Sequence, residues 1–197
     1  MANLSKAKAT IFHVVFIYPR ILKYNLLSDI EHCSGNPKKN QPVLMCGKGS
    51  IHFGNGVVIG TRMSPFLYDG YAFLNARSRE TEIYFDDGVW TNNNLVIICE
   101  GEGVYIGKDT LIGANVEIYD SDFHEISPVN RKRGFAKTAK VRVGNNVWLG
   151  SNVKVLKGVT IGDNSIIAYG SVVTKSIPSN VIAGGVPAEI IRDEIDK

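Results

Sequence analysis

The sequence predicts an all-β solenoid built from stacked three-sided coils, and two observations support this fold class. The first is a six-residue period in the aliphatic positions, which runs without a change of phase through Val143, Leu149, Val155, Ile161, Ile167 and Val173. The second is the residue type between them, since glycine directly follows the aliphatic residue at Gly144, Gly150 and Gly162. A helix repeats its apolar positions every three to four residues and an amphipathic strand every two, so neither explains the period.

A short strand followed by a tight turn does explain it. The aliphatic residue points inward, and Gly, Asn or Asp adopts the turn conformation. Three hexads close one triangular coil of about eighteen residues, and stacked coils bury a continuous aliphatic column. The spacing recurs upstream, with changes of phase, at Phe53 and Ile59, at Ile83, Val89 and Leu95, and at Ile106, Ile112 and Ile118. A β-sandwich would show less regular strands, spaced by about 8 to 12 residues.

The first 42 residues lack the repeat and are predicted to form a helical segment and a linker. The apolar run at residues 11–18 is too short to cross a bilayer, and it lacks the cleavage site of a signal peptide. We predict one or two helices over residues 5–30, interrupted at Pro19 and packed on the body of the protein. Contact of this segment with a membrane surface or a partner is the alternative. Residues 33–42 are predicted to be the linker.

Composition excludes several classes of protein. The net charge of +3 is spread along the sequence, which argues against nucleic acid as a partner. The three cysteines, Cys33, Cys46 and Cys99, are odd in number and lack CxxC spacing, so neither a disulfide framework nor a structural zinc site is indicated. A reducing cytoplasm fits this pattern best.

The repeat stops at Phe123 and resumes at Val143, and the residues between them predict an excursion from the coil. A proline, a glycine and several cations over residues 125–140 are typical of a loop. Loops of this length in a compact domain are usually functional. His124 stands at the root of the predicted loop, where a rigid scaffold can hold a side chain that a ligand can still reach.

The last part of the repeat resembles a known family, the hexapeptide-repeat acyltransferases, and is nearest to the branch of galactoside, maltose and polysaccharide O-acetyltransferases. The resemblance covers roughly residues 43–192 and is most specific in VGNNVWLGSNVKVLKGVTIGDNSIIAYGSVVTKSIPSNVIAGGVPAEII, residues 143–191. It implies a left-handed parallel β-helix, a homotrimer with active sites between subunits, and acetyl-CoA as donor, with no metal. We therefore expect the β-helix at residues 43–185 and a C-terminal tail with a short helix at residues 186–197.

The resemblance also implies roles for individual residues. His124 matches the general base, and Asn92, in the segment TNNNL, matches an asparagine that holds the acceptor. The backbone N–H of Ser151 matches the oxyanion donor. The implied coenzyme A contacts are Ser151, Ala168, Tyr169, Thr174, Lys175 and Arg192. Two departures affect this assignment, because Tyr169 and Glu189 stand where the family commonly has alanine and arginine.

Other polar residues near these positions are candidates for supporting roles. Asp120 and Asp122 share the parity of His124 in an extended strand, so either carboxylate could orient its ring, with Glu125 as a third candidate. Asp120 and Asp122 are alternatively acceptor-binding residues or solvent-facing ones. Asn94 matches a second asparagine of the family pattern and is also expected to be acceptor-binding.

The leading hypothesis is an acetyl-CoA-dependent acetyltransferase that acts on a sugar hydroxyl, in the synthesis of a bacterial surface polysaccharide. N-acetylation of an aminosugar nucleotide and O-acetylation of an antibiotic use similar catalytic groups and remain open. A γ-type carbonic anhydrase shares the architecture but needs three histidines on zinc. Only His52 and His124 lie in the repeat region. A purely structural solenoid has no need to break its coil at residues 125–140.

Overall fold

Three parallel β-sheets form the sides of a triangular prism in the computed structural model, which describes residues 11–193. Sheet A contains, in spatial order, β1 (His32–Ser34), β4 (Ser50–Phe53), β7 (Glu82–Phe85), β10 (Val104–Ile106), β13 (Val141–Val143) and β16 (Thr160–Ile161). Sheet B contains β2 (Lys38–Lys39), β5 (Val58–Ile59), β8 (Trp90–Thr91), β11 (Leu111–Ile112), β14 (Trp148–Leu149), β17 (Ile166–Ile167), β19 (Val181–Gly185) and β20 (Ala188–Asp193). Sheet C contains β3 (Val43–Cys46), β6 (Ala72–Ala76), β9 (Val96–Cys99), β12 (Glu117–Tyr119), β15 (Lys154–Val155) and β18 (Val172–Val173).

Each coil visits the sheets in the order A, B, C, so the six-residue period becomes one aliphatic column per sheet. Ile106 pairs in register with Val143 and Val143 with Ile161 in sheet A, and sheets B and C repeat this arrangement. These column side chains are buried in one continuous core. Burial of a large aliphatic side chain stabilises a fold by about 1.5–3 kcal/mol, so the column is the main source of stability.

Two edges of the prism, both bordering sheet C, are important for the functional site. The BC edge consists of the turns from sheet B to sheet C, at residues 60–71, 92–95, 113–116, 150–153 and 168–171. The CA edge consists of the turns from sheet C to sheet A, at residues 77–81, 100–103, 120–140, 156–159 and 174–176.

The helical segment packs at the N-terminal end of the prism. A π-helical turn, His13–Ile17, leads into α1, Tyr18–Leu27, and Ile17 and Ile21 are buried against Leu67. The predicted interruption at Pro19 is wrong, since residues 11–27 are continuously helical and Pro19 lies in the first turn of α1, directly after the π-helical turn. Residues 5–10 of the predicted segment lie outside the described residues.

The segment predicted as a linker belongs to the solenoid. Strands β1 and β2, from residues 33–42 and their flank, pair with β4 and β5 and form the first coil. This coil could not be recognised from the sequence, because the side chains of β1 are all exposed and show no aliphatic period.

The predicted short C-terminal helix is wrong within the described residues. Ala188–Asp193 is strand β20, which runs antiparallel to β19 and closes sheet B. Pairing satisfies the backbone groups of an otherwise open strand edge, whereas an isolated helix of this length is unstable. Ala188 is also buried against the core.

Candidate active site

After β12 the chain leaves the coil at the CA edge and forms a long loop before it enters β13. Ser121 and Thr138 form an antiparallel bridge, the N–H of Asp122 donates to the carbonyl of Lys137 at 3.1 Å, and that of Ala139 donates to the carbonyl of Asp120 at 2.9 Å. These contacts close the base of a loop over residues 122–137. The loop therefore leaves and re-enters the prism at one point.

His124 is exposed at the root of this loop. It follows Phe123, whose φ of 61° turns the chain away from the prism. The Phe123 ring packs edge-on against Tyr119, with centroids 5.5 Å apart, and the Arg77 guanidinium lies 5.2 Å from its centroid. Among residues 11–193, no hydrogen bond joins the imidazole of His124 to another side chain, so the ring faces solvent.

A chain of hydrogen bonds holds the backbone just before His124. The guanidinium of Arg77 donates to Glu100 at 2.5 Å, and the hydroxyl of Ser121 donates to the other oxygen of Glu100 at 2.6 Å. The same hydroxyl accepts the N–H of Phe123 at 2.9 Å. This network fixes the unusual conformation from which His124 projects, and sequence reasoning missed it because its members are far apart in the chain.

The structure changes the roles of the nearby acids. Asp120 is fully buried, and its carboxylate accepts backbone N–H groups from Glu100, Gly101 and Gly103 at 2.7, 3.0 and 2.8 Å. A carboxylate with these partners cannot contact an acceptor or the His124 ring, so both predictions for Asp120 are wrong. Its role is to close the corner beneath the loop.

The two remaining acids bond elsewhere. Asp122 lies 3.4 Å from the ammonium of Lys157, in the next coil, and Glu125 accepts the backbone N–H of Ile126 at 3.1 Å. Neither carboxylate is hydrogen-bonded to His124. Among residues 11–193, no carboxylate therefore orients the imidazole.

A groove on the outer face of sheet B reaches the BC edge and contains Asn92. Trp90, Leu111 and Trp148 lie in register on three successive coils, and each is about half exposed. Asn92, Thr61 and Gly113 complete the lining. The side-chain oxygen of Asn92 accepts the backbone N–H of Asn93 at 2.7 Å. The side-chain amide hydrogens of Asn92 are directed to no acceptor among residues 11–193. This amide is available to a ligand.

The other two asparagines of the TNNNL segment have structural roles. Asn93 is fully buried, and its amide bonds the N–H and carbonyl of Thr61 at 2.9 Å each, which anchors the start of the loop at residues 61–70. Asn94 has a φ of 63° and donates to Asn115 at 2.7 Å. It belongs to a ladder along the BC edge and does not line the groove, so its predicted contact with an acceptor is not supported.

Ser151 lies one coil beyond the groove residue Gly113. A Cβ on Gly113 would stand 2.5 Å from the backbone nitrogen of Ser151, so only glycine permits this close approach of the two turns. The Ser151 hydroxyl accepts the N–H of Ala114 at 3.1 Å. Its own N–H meets no acceptor among the described residues, as an oxyanion donor requires.

The residues predicted to bind coenzyme A are divided between the two edges. Ala168 and Tyr169 lie on the BC edge, one coil after Ser151, and Tyr169 is largely exposed. Thr174 and Lys175 are exposed on the CA edge, on the same side as His124, and Arg192 is exposed on β20. A strand of sheet C, two to five residues long, separates the two edges, or about 7–17 Å. A single chain therefore does not bring His124 and Asn92 together.

No group of three or more His, Cys, Asp and Glu side chains within residues 11–193 is arranged to hold a metal ion.

Comparison with known proteins identifies the class to which this fold and site belong. Residues 140–175 match the family model described as bacterial transferase hexapeptide (six repeats), and residues 103–119 match the hexapeptide repeat of succinyl-transferase. A putative lipopolysaccharide biosynthesis O-acetyl transferase, WbbJ, from Escherichia coli (strain K12) is 35% identical over 159 residues, which is 77% of this chain and 76% of that protein. The chain belongs to the hexapeptide-repeat acetyltransferases, and its fold is their left-handed parallel β-helix. The predicted fold class is confirmed in this respect.

Two further relatives show how far the similarity extends. A galactoside O-acetyltransferase from Lactococcus lactis subsp. lactis (strain IL1403) is 44% identical over 110 residues, 56% of this chain, and the chain spans only 52% of its length. The solved structure of a galactoside acetyltransferase in complex with coenzyme A has a TM-score of 0.53 and 27% identity. The match covers 96% of this chain and 80% of that one.

Proposed function

We propose that this protein transfers the acetyl group of acetyl-CoA to a hydroxyl of a sugar, in the synthesis of a surface polysaccharide. The observation that carries the proposal is the position of His124. Its imidazole is exposed at the root of the loop over residues 122–137, on a backbone fixed by Ser121 and Glu100. A structural solenoid has no use for such an arrangement, whereas acyl transfer needs a positioned base.

His124 acts as the general base in this proposal. A neutral hydroxyl is a weak nucleophile, and imidazole can accept its proton near neutral pH. The acceptor oxygen then forms a bond to the thioester carbonyl carbon, and the carbon–sulfur bond breaks as the tetrahedral intermediate collapses. The imidazolium returns the proton to the departing thiolate, so the products are the acetyl ester and free coenzyme A.

Two other groups complete the chemistry. The amide of Asn92 donates to the acceptor sugar, and the N–H of Ser151 donates to the carbonyl oxygen as it becomes negative. Donors of the second kind typically contribute about 3–4 kcal/mol. The exposed side chains of Tyr169 and Lys175 and the half-buried Ala168 suit a long donor laid along the last coils.

The active site requires two chains. His124 and Asn92 lie on different edges of one prism, with a strand of sheet C between them. The CA edge of one chain, near His124, must therefore meet the BC edge of another at the turns that carry Asn92 and Ser151. Because the two surfaces differ, the contact is heterologous, and it closes into a ring when repeated by rotation. We propose a homotrimer, in which the exposed stripe of Trp90, Leu111 and Trp148 is covered by a neighbour.

Similarity to the Escherichia coli protein supports the acceptor class, since that protein is named for lipopolysaccharide biosynthesis. Reduced Cys33, Cys46 and Cys99 are consistent with a cytoplasmic location.

The direct test supplies acetyl-CoA with sugar nucleotides, lipid-linked oligosaccharides and free sugars, and follows the release of thiol. We expect turnover with at least one glycan acceptor and an alkali-labile acetyl ester in its product. Coenzyme A binding should be detectable by calorimetry in the absence of acceptor. If no acceptor reacts and no coenzyme A binds, the proposal is wrong.

The shared site has its own test. His124→Ala and Asn92→Ala proteins, each weakly active, are unfolded together and refolded as a mixture. Mixed trimers contain sites in which one chain supplies His124 and the other supplies Asn92, so activity should recover. If each chain holds a complete site, mixing restores nothing.

A further inference from the structure

The outward face of the N-terminal helical segment is almost entirely apolar. The segment Ile11–Leu27 exposes nine large hydrophobic side chains: Ile11, Phe12, Val14, Val15, Phe16, Tyr18, Leu22, Leu26 and Leu27. Its inward face packs through Ile17 and Ile21, so these nine have no counterpart in the core. Surface helices of globular proteins normally turn polar residues outward. This helix instead presents an apolar surface on both sides.

The apolar surface continues onto the loop at residues 61–70. Met63 is 97% exposed and Tyr68 is 62% exposed, and both line a groove shared with Phe12 and Ile17. The helix and the loop form one unit, because the Arg20 guanidinium donates to the carbonyls of Leu67 and Gly70 at 2.8 and 2.7 Å. Contiguous exposed apolar surface of this kind marks a contact with a partner or a membrane.

The charge of this region indicates whether a partner protein or a membrane contacts the apolar surface. Residues 1–28 contain Lys6, Lys8, Arg20 and Lys23 and no Asp or Glu, while the whole chain has a net charge of +3. The remainder of the chain is thus close to neutral. Arg62 adds a further cation beside the apolar groove. A second copy that presented the same face would bring the same uncompensated cations together, whereas an anionic lipid surface would compensate them.

We propose that this surface, formed by the helical segment and the loop at residues 61–70, docks on an anionic lipid bilayer. The helix lies parallel to the bilayer plane, its apolar side chains enter the boundary between headgroups and acyl chains, and Lys23 and Arg62 contact lipid phosphates. No helix among the described residues is long and apolar enough to cross a membrane, so the contact is peripheral. This inference does not depend on the proposed acetyl transfer.

Co-sedimentation of the full-length protein with vesicles tests the proposal. Vesicles of mixed phosphatidylglycerol and phosphatidylcholine should bind the wild type, and vesicles of phosphatidylcholine alone should bind it more weakly. Phe16→Asp should lower the partition into mixed vesicles by at least about tenfold, because one apolar ring is lost and an anion is added. Phe135→Asp is the matched control: it makes the same change at a ring 92% exposed on the loop of residues 122–137, and binding should stay at the wild-type level.

The same three proteins are compared for mass by light scattering, without vesicles, and for thermal unfolding. Equal masses and unfolding temperatures, with binding lost only in Phe16→Asp, support the proposal. It is overturned if the wild type does not bind mixed vesicles, or binds both kinds equally. It is also overturned if Phe16→Asp binds like the wild type, or if that variant changes the oligomeric mass, since a second copy then covers the face.

Discussion

The two edges that border sheet C are made from the same repeat, yet their turns are stabilised differently. On the BC edge, Asn94, Asn115 and Asn152 share a left-handed conformation, and each amide donates to the next at 2.7 Å. On the CA edge, the turn below His124 is closed by the buried carboxylate of Asp120, and the chain then leaves the coil.

The difference follows from the chemistry of the two side chains. An amide both donates and accepts, so a stack of asparagines can continue from coil to coil. An ionised carboxylate only accepts, so it ends such a stack and gathers N–H donors from one turn instead. The asparagine ladder of the BC edge is thus structural, whereas the CA edge is interrupted where His124 projects.

The largest expected effect distinguishes the interrupted edge from the rest of the prism. His124→Ala should reduce kcat for acetyl transfer by about 10²–10⁴-fold, because the proposed general base is lost. Its thermal unfolding should match that of the wild type, since the ring is exposed. The matched control is His52→Ala, which removes a half-buried imidazole bonded to Ser34 on sheet A. Equal losses of activity in both variants would contradict the role of His124.

The next effect compares two carboxylates that close corners. Asp120→Asn should lower the free energy of unfolding by about 3 kcal/mol, because an amide nitrogen replaces an oxygen that accepts buried N–H groups. Asp163→Asn should lower it by about 1 kcal/mol, since Asp163 is exposed and bonds the N–H of Asn145 at 2.8 Å. Chemical denaturation measures both. Similar losses of unfolding free energy in the two variants would mean that the burial of Asp120 does not increase its contribution to stability.

Two asparagines two residues apart sharpen the comparison within the BC edge. Asn92→Asp keeps the oxygen that accepts the N–H of Asn93 and removes the amide donor, so it should raise KM for the acceptor by about tenfold, the effect of one lost hydrogen bond, and leave stability unchanged. Asn94→Ala should leave KM unchanged and lower the free energy of unfolding by about 1 kcal/mol, because it removes a donor in the ladder. Steady-state kinetics and thermal unfolding of both variants give the answer. The reverse pattern would exchange the two assignments.

Loss of a hydrogen bond from the network beneath His124 should change kcat and leave KM unchanged. Ser121→Ala removes the group that accepts the N–H of Phe123, so we expect kcat to fall by about tenfold with KM unchanged, because the base loses its alignment. Ser165→Ala is the control, since that buried hydroxyl closes another corner by donating to Pro178 at 2.7 Å. It should reduce stability without changing kcat. A kcat for Ser121→Ala equal to that of the wild type would restrict the network to a structural role.

The sequence predicts the regular parts of this molecule well, for a physical reason. The inward side chain of each hexad must be apolar, so apolar residues recur at fixed intervals in the sequence. The end of this repeat at Phe123 predicts that His124 lies at the root of a loop. The burial of Asp120 could not be predicted, because its partners lie 17 to 20 residues earlier and meet it only when coils stack.

Similar reasons explain the other differences. Three consecutive asparagines look alike in sequence, and the alternation of inward and outward positions decides that Asn93 is buried while Asn92 lines the groove. The final apolar residues fit a helix or a strand equally well by length and composition. These residues form a strand because the open edge of β19 offers backbone groups with which they pair.

The smallest expected effect lies on sheet C, between the two edges. Burial opposes the ionisation of Glu117, but bonds from Lys154 and from the Tyr119 hydroxyl outweigh it and lower the pKa of this carboxyl. A lowered pKa in the folded state contributes stability that is present above the unfolded value of 4.5 and is lost as pH falls through the folded pKa. Glu117→Gln should therefore lower the free energy of unfolding by about 1 kcal/mol at pH 7. The difference from the wild type should shrink below pH 4.5, and a difference that persists unchanged there would assign the effect to packing.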